Sequence, residues 1–401
     1  MPTLPPTPPS ASGPPGAHIL FMNRRDCANP EGGGSEIYVE TVARALVAGG
    51  NTVTLRSAAY PGSVENEDVD GVHVIRRGSK LGMVRQAWWE LRRGVLGAPD
   101  VVVDVQNGIP FGSPQAGRAP TLVLVHHVHR EQWPVVYDPV RAQIGWTIES
   151  RLAPWLYRRC AYVAVSETTR AELGVLGVDP ARIDVVHNGV QPVPGGAHPT
   201  PAPDPTILVL GRLVPHKRVE HVLEAAVVLR REIPDLRVRI VGSGWWHDEI
   251  AARIEELGLG DVATLVGFVD DEAKGAELAS AWVLAMPSLK EGWGLVITEA
   301  AAHGVPAVGY RAAGGVAEVI DDGSSGLLVD GGVAEFTAAL RSVLTDDKLR
   351  AKLRAGASHR ADSLSWQRTA DAFAESLTKV AGRPIHAGRV EHEARLVPPP
   401  E

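Results

Sequence analysis

Sulfur is scarce in this chain: 401 residues include only two cysteines, Cys27 and Cys160, and four methionines. The cysteines are far apart and have no His or Cys neighbours at ligand spacing. That excludes a disulfide framework and a zinc site, and it is the pattern expected in a reducing cytoplasm. Long apolar runs are missing too; none approaches the ~18 residues that would span a bilayer. Nor is there an excess of positive charge. The formal charge is -7 at pH 7, so the balance gives no reason to expect a nucleic-acid partner. Residues 1–16 hold no Lys or Arg and no apolar core, so they lack what a signal peptide needs. Their Pro, Ser and Gly content reads as a disordered tail, taken as 1–17.

What remains is an ordinary globular composition, 44% hydrophobic and 22% charged, long enough for two or three domains. Apolar strand-like runs alternate with helical periods from residue 18 onward. In the first half the strands are 18–23, 52–55, 72–75, 101–105, 121–125, 162–166 and a run from 183; the helices are 36–48, 84–96, 144–160 and 167–176. Residues 190–205 are rich in Pro and Gly without periodicity and read as a linker. Beyond them the alternation restarts, with strands at 206–210, 238–242, 263–268, 282–286 and 307–309. The expected organisation is therefore a first α/β domain at 18–189, a second at 206–365, a helix at 366–381 and an unpatterned tail at 382–401.

One stretch organises the rest. Residues 287–309, PSLKEGWGLVITEAAAHGVPAVG, read as a loop, a helix from Leu295 to Ala302, a stop at Gly304 and a strand after Pro306. The loop turns the first N–H groups of the helix toward open space. Those unpaired donors and the helix dipole favour an anion, typically a phosphate. Gly292 and Gly294 allow a ligand close to the backbone. Glu291 and Glu299 flank the same point, where carboxylates repel phosphate and suit hydroxyl groups instead. A ligand carrying both phosphates and sugars fits. The alternative is a buried helix with Glu299 capping something nearby.

Other strand ends carry polar groups as well. The run 206–210 leads into Gly211-Arg212-Leu213-Val214-Pro215-His216-Lys217-Arg218, which puts two fixed cations at a carboxyl-end crevice, where charge-assisted bonds to phosphate are strong. The strand at 121–125 ends in His126, His127 and His129. Alternate residues on an extended chain face opposite ways and no carboxylate pair stands at ligand spacing, so a metal site is not expected. Gly32-Gly33-Gly34 precede a helix as a phosphate loop would, although they do not match GxGxxG and also suit a flexible turn. Asp68-Val69-Asp70 sits in an acidic loop before a strand and reads as chance. Two helical regions interleave aromatic and basic residues: Arg85, Trp88, Trp89, Arg92 and Arg93, then Trp146, Arg151, Trp155, Tyr157, Arg158 and Arg159. Such faces lie on an anionic membrane or are core tryptophans beside solvated arginines.

The spacing of Glu291 and Glu299 within 287–309, together with Gly211-Arg212-Leu213 and Lys217, resembles the donor-site signature of retaining glycosyltransferases of family 4, which have the GT-B fold. The resemblance covers nearly all of 18–380. It implies an α/β protein of two Rossmann-like doubly wound domains facing a central cleft, with the 366–381 helix crossing back onto the first. It implies transfer of a hexose from a UDP- or GDP-sugar to a hydroxyl acceptor as an α-glycoside, with no cofactor and no metal. By the family pattern Arg212 and Lys217 hold the diphosphate, Glu299 the ribose hydroxyls and Glu291 the sugar hydroxyls. His126, with His127 as the fallback, contacts the donor sugar. The donor site would also include Gly33, Gly34, Val266, Gly267, Trp293, Gly294 and Leu295; the catalytic set would be His126, Arg212, Lys217 and Glu291. Glu318 matches a recurrent position of the family to which no role is assigned. The expected partners are the nucleotide sugar and its acceptor, with no nucleic acid. Localisation is expected to be cytoplasmic, at most peripheral at the membrane through the first domain. Two other classes stay open: a sugar-nucleotide epimerase on the same fold and a non-catalytic subunit that binds nucleotide sugar.

Overall fold

The computed structural model describes residues 16–79, 82–191, 193 and 200–396. Nearly all of the expected N-terminal tail, residues 192 and 194–199 of the linker and the last five residues lie outside the described residues.

Two sheets account for the alternation. The first holds β1 (His18–Met22), β2 (Thr52–Ser57), β3 (Asn66–Val69), β4 (Val72–Arg76), β5 (Val101–Gln106), β6 (Thr121–Val125), β7 (Ala161–Ala164) and β8 (Ile183–Val185), in the order β3-β4-β2-β1-β5-β6-β7-β8. The second holds β9 (Thr206–Leu210), β10 (Arg237–Val241), β11 (Ala263–Gly267), β12 (Val283–Met286), β13 (Ala307–Tyr310) and β14 (Gly326–Val329), in the order β11-β10-β9-β12-β13-β14. Every pairing is parallel except β3 with β4. Strands such as β5 and β6 are buried along their whole length, which is why their sequences are continuous apolar runs rather than alternations. Strand order reverses at β1 in one sheet and at β9 in the other. Open parallel sheets form their crevices at such reversals, beyond the carboxyl ends of the strands. The glycine loop follows β1, and Gly211-Arg212 follows β9.

Several elements differ from the sequence reading. The Asp68 region is no loop: Asn66–Val69 is the antiparallel edge strand. Asp70 and Gly71 both have positive φ, 51° and 80°, the backbone of a tight two-residue hairpin turn. The acidic residues there serve that turn, Asp68 accepting from Gly71 N–H at 2.9 Å. The helix expected at 144–160 begins earlier, at Pro139, where Asp138 caps it. It then passes through a π turn, Ile148–Leu152, and ends at Leu156.

The Trp366–Ala381 helix packs on the Gly34–Ala48 helix and on β5, β6 and β7 of the first sheet. Phe373 stands 6.1 Å from both Phe21 and Tyr38. The segment after it has no regular structure, yet it is not loose. Gly388 N–H donates to Ala45 O at 2.7 Å, Asn51 Nδ2 to His386 O at 2.9 Å, and Ala394 N–H to Thr41 Oγ1 at 2.8 Å. Single hydrogen bonds to the first helix and to Asn51 just beyond it hold the segment, and these leave no period in the sequence.

Candidate functional site

The loop after β12 is pinned from both sides. Glu291 N–H donates to Ala313 O and Gly315 N–H to Glu291 O, each at 3.0 Å. Gly294, at φ 94°, turns the chain into the Leu295–Ala302 helix. Ile297 N–H closes back on Gly294 O at 2.8 Å, and the N–H groups before it have no acceptor within the helix. This helix start faces the glycine loop of the first domain: a Cβ on Gly34 would be 3.6 Å from Leu295, and one on Gly33 would be 3.3 Å from Arg212 Nε. Gly33, Gly34, Arg212 and Leu295 therefore meet across the cleft.

Charge is arranged around the same point. Lys217 Nζ lies 2.5 Å from Glu291 Oε1. Burial alone would raise the Glu291 carboxyl, but Lys217 outweighs it and the net shift is downward, so the group is ionised. Arg212 donates from Nη1 to Glu31 O at 3.1 Å and makes no ion pair among the described residues. Burial, then the neighbouring Arg25, lowers its pKa, yet a guanidinium stays charged. Glu299 is held apart from this group by Lys274, at 2.9 Å, which also reaches Asp271 at 3.1 Å. Burial works against the Lys274 charge, but Glu299 and Asp271 more than offset it.

In the glycine loop, Gly33 N–H donates to Glu36 Oε2 at 2.8 Å. Glu36 three residues past the helix cap is a capping-box spacing, so the sequence carried the signal. Trp293 is buried, its ring stacks on His187 at 4.6 Å, and its Nε1 has no partner among the described residues. Val266 and Gly267 end the edge strand β11, where Gly267 O accepts from Gly242 N–H at 2.8 Å.

The three histidines after β6 go separate ways. His126 is buried edge-on to Tyr38, its ring 5.4 Å away, and its Nε2 has no partner among the described residues. Burial lowers its pKa to about 4, so the imidazole is neutral. His127 bonds Gln132 at 3.1 Å and His129 bonds Glu149 at 2.8 Å. Among the described residues no group of three or more His, Cys, Asp or Glu has the geometry to hold a metal.

Sequence reasoning missed the groups that join the domains. Glu318, noted without a role, accepts from Glu167 N–H at 2.8 Å and Thr168 N–H at 2.5 Å, capping a helix of the other domain. Lys290 pairs with Glu172, and His187 lies 3.9 Å from Glu318. Each pair is separated by more than a hundred residues, so no local pattern announces it.

Two cations, a helix N-terminus and a half-buried carboxylate thus converge on one point, an arrangement suited to an anion whose neighbouring atoms carry hydroxyls. Residues 196–360 match the model of the family described as Glycosyl transferases group 1, and residues 32–193 that of Glycosyltransferase Family 4. A D-inositol 3-phosphate glycosyltransferase from Nocardioides sp. is 37% identical over 219 residues, 48% of this chain and 47% of that protein. A GDP-mannose-dependent alpha-(1-6)-phosphatidylinositol monomannoside mannosyltransferase from Mycolicibacterium smegmatis is 33% identical over 183 residues, 43% of this chain and 48% of that one. The chain spans about half the length of these curated relatives. Sucrose-phosphate synthase from Thermosynechococcus elongatus superposes with a TM-score of 0.77 at 20% identity, covering 91% of this chain and 99% of that one. Anabaena HepE in complex with UDP-glucose gives 0.70 at 19%, covering 90% and 100%. These likenesses establish the fold, the two-domain GT-B architecture.

Proposed function

The chain belongs to glycosyltransferase family 4, and from that premise we propose that it moves a hexose from a UDP- or GDP-sugar to a hydroxyl acceptor, retaining the anomeric configuration and using no metal. The observation that carries this reading is the Lys217–Glu291 pair beside Arg212, set against the glycine loop. An arriving donor exchanges that pair for two better partners: its diphosphate takes Lys217, and a sugar hydroxyl takes Glu291. Arg212, Lys217 and the helix start at Trp293-Gly294-Leu295 then stabilise the charge that grows on the departing diphosphate. Neutral His126 has Nε2 unpartnered among the described residues and offers it to the sugar. The acceptor attacks from the side of the leaving group, whose own oxygen takes the acceptor proton. Glu299 serves the ribose, and Val266 and Gly267 flank the base.

The test is a panel of radiolabelled UDP- and GDP-sugars with D-inositol 3-phosphate and a phosphatidylinositol monomannoside as acceptors, chosen from the relatives' names. A labelled glycoside is the expected product. An epimerised sugar nucleotide, or binding without turnover, would replace this reading with one of the two alternatives.

A peripheral membrane contact through the first domain is part of the proposal. Trp89, Ile144 and Trp155 are 46%, 55% and 57% exposed, and Arg93 and Arg158 lie over the two indoles at 5.3 and 5.1 Å. Exposed apolar side chains ringed by arginine suit an anionic lipid surface. No helix among the described residues is long and apolar enough to cross a membrane. Co-sedimentation with vesicles containing anionic lipid, and not with neutral ones, is the expected result; no sedimentation with either refutes the contact.

A further inference from the structure

The segment that follows the Trp366–Ala381 helix reaches across the cleft beside Glu299. Ala394 N–H anchors it to Thr41 of the first domain at 2.8 Å. One residue later, Arg395 Nε pairs with Asp271 Oδ2 of the second domain at 2.8 Å. Asp271 shares Lys274 with Glu299. At the other edge, a Cβ on Gly32 would meet Leu396 Cδ2 at 3.0 Å. Residues 393–396 therefore lie between the glycine loop and the Lys274–Glu299 pair, at the end of the site away from Lys217 and Glu291.

The carboxylate this segment brings is Glu393. Trp366 Nε1 donates to its Oε2 at 2.6 Å, which fixes the side chain, and its other oxygen has no hydrogen bond among the described residues. Burial first, and then Glu299, push the Glu393 carboxyl up to about 7, with Lys274 pulling the other way. Three carboxylates, Asp271, Glu299 and Glu393, share this end of the cleft with two cations, Lys274 on Asp271 and Glu299 and Arg395 on Asp271. Carboxylates outnumber cations there, no cation pairs with Glu393 among the described residues, and like charges in a half-buried position are costly unless something donates to them. A vicinal diol supplies two O–H donors without adding charge.

We propose that Glu393 is a specificity-determining residue of the donor site, accepting one ribose hydroxyl while Glu299 accepts the other. This rests on the nucleotide-sugar reading above and adds to it a carboxylate from outside the second domain. The C-terminal segment becomes the outer wall of the nucleoside end, tying both domains together over the ribose. Because Arg395 holds the wall to Asp271, it positions Glu393 without touching the ligand.

The experiment titrates the full chain with UDP and GDP, and with their 2′,3′-dideoxy counterparts, by calorimetry at pH 8. Glu393→Gln keeps the bond from Trp366 and removes the charge. It is expected to weaken the tighter-binding ribonucleotide roughly tenfold, the scale of one hydrogen bond to a charged group. Affinity for the dideoxy compound should stay within about twofold of wild type, since there is no diol to lose. Arg395→Ala should show the same contrast, smaller in size. Equal losses for both ligands would mean a structural role and overturn the proposal. Unchanged affinity for the ribonucleotide would also overturn it, as would a gain, which would mean that the segment competes with the nucleotide. A wild-type chain that binds neither diphosphate would instead remove the donor reading itself.

Discussion

A methyl group on Gly292 would stand 2.0 Å from the carbonyl oxygen of His126 and 3.4 Å from the His127 side chain. The two residues belong to different domains. Gly292 is not among the residues of positive φ, so its requirement is close approach rather than backbone conformation. Its missing side chain lets the loop after β12 seat against the end of β6.

Gly292→Ala should therefore push the loop away from β6 by about an ångström while leaving each domain folded. Misplacement on that scale costs on the order of 10² in rate. We expect kcat/KM for the donor to fall by that factor with Tm little changed, as read by steady-state kinetics and calorimetry. A wild-type rate would show that the domains do not meet here during turnover.

Lys217→Ala and Arg212→Ala should each lower kcat more than donor affinity. Their charges matter most when the leaving diphosphate has gained its own. The expected loss is on the order of 10² or more. Full activity in both variants would locate the diphosphate elsewhere.

Turnover should survive EDTA, because protein cations and a helix start supply the stabilisation a metal would otherwise provide. Complete loss, restored by Mg²⁺ or Mn²⁺, would contradict this.

An α-linked donor should give an α-linked product. Inversion requires a general base on the face opposite the leaving group. Glu291 is paired with Lys217, Glu36 with Gly33 N–H, and His126 titrates only near pH 4. The anomeric coupling in the NMR spectrum of the purified product decides, and a β-glycoside refutes retention.

His126 should make the fold acid-sensitive. Its folded pKa of about 4 lies below the ordinary 6.5, so between those values the unfolded chain binds a proton that the folded one refuses. Its contribution is intact above pH 6.5 and is lost as pH falls toward 4, by about 3 kcal/mol in total. His126→Gln should flatten the dependence of Tm on pH across that window. An identical slope in variant and wild type would mean the ring is not buried as described.

Much of this molecule was legible in its sequence, for identifiable reasons. Strands such as Thr121–Val125 show as continuous apolar runs and helices such as Leu295–Ala302 by their period, and Gly294 and Gly304 mark the helix ends by turn chemistry. Arg212, Lys217 and Glu291 stood out because strand ends concentrate polar groups. Two legible signals went unread, the Asp70-Gly71 hairpin and the Glu36 cap. The rest left no local trace. Glu318 on the Glu167 helix, Lys290 on Glu172, His187 on Trp293 and Arg395 on Asp271 are meetings between distant segments, fixed only when two finished domains pack together.

The Lys217–Glu291 pair has a consequence for which ligands the site refuses. An ion that brought negative charge and nothing else would draw Lys217 to itself and leave the half-buried Glu291 carboxylate without its partner. Leaving one member of a largely desolvated pair without its partner is costly, and that cost is subtracted from the affinity of the ion that causes it. Inorganic phosphate and pyrophosphate are then poor tenants, however abundant they are. On the proposed reading, a molecule with hydroxyls next to its phosphates satisfies both side chains at once, so the resting ion pair favours it over a bare anion.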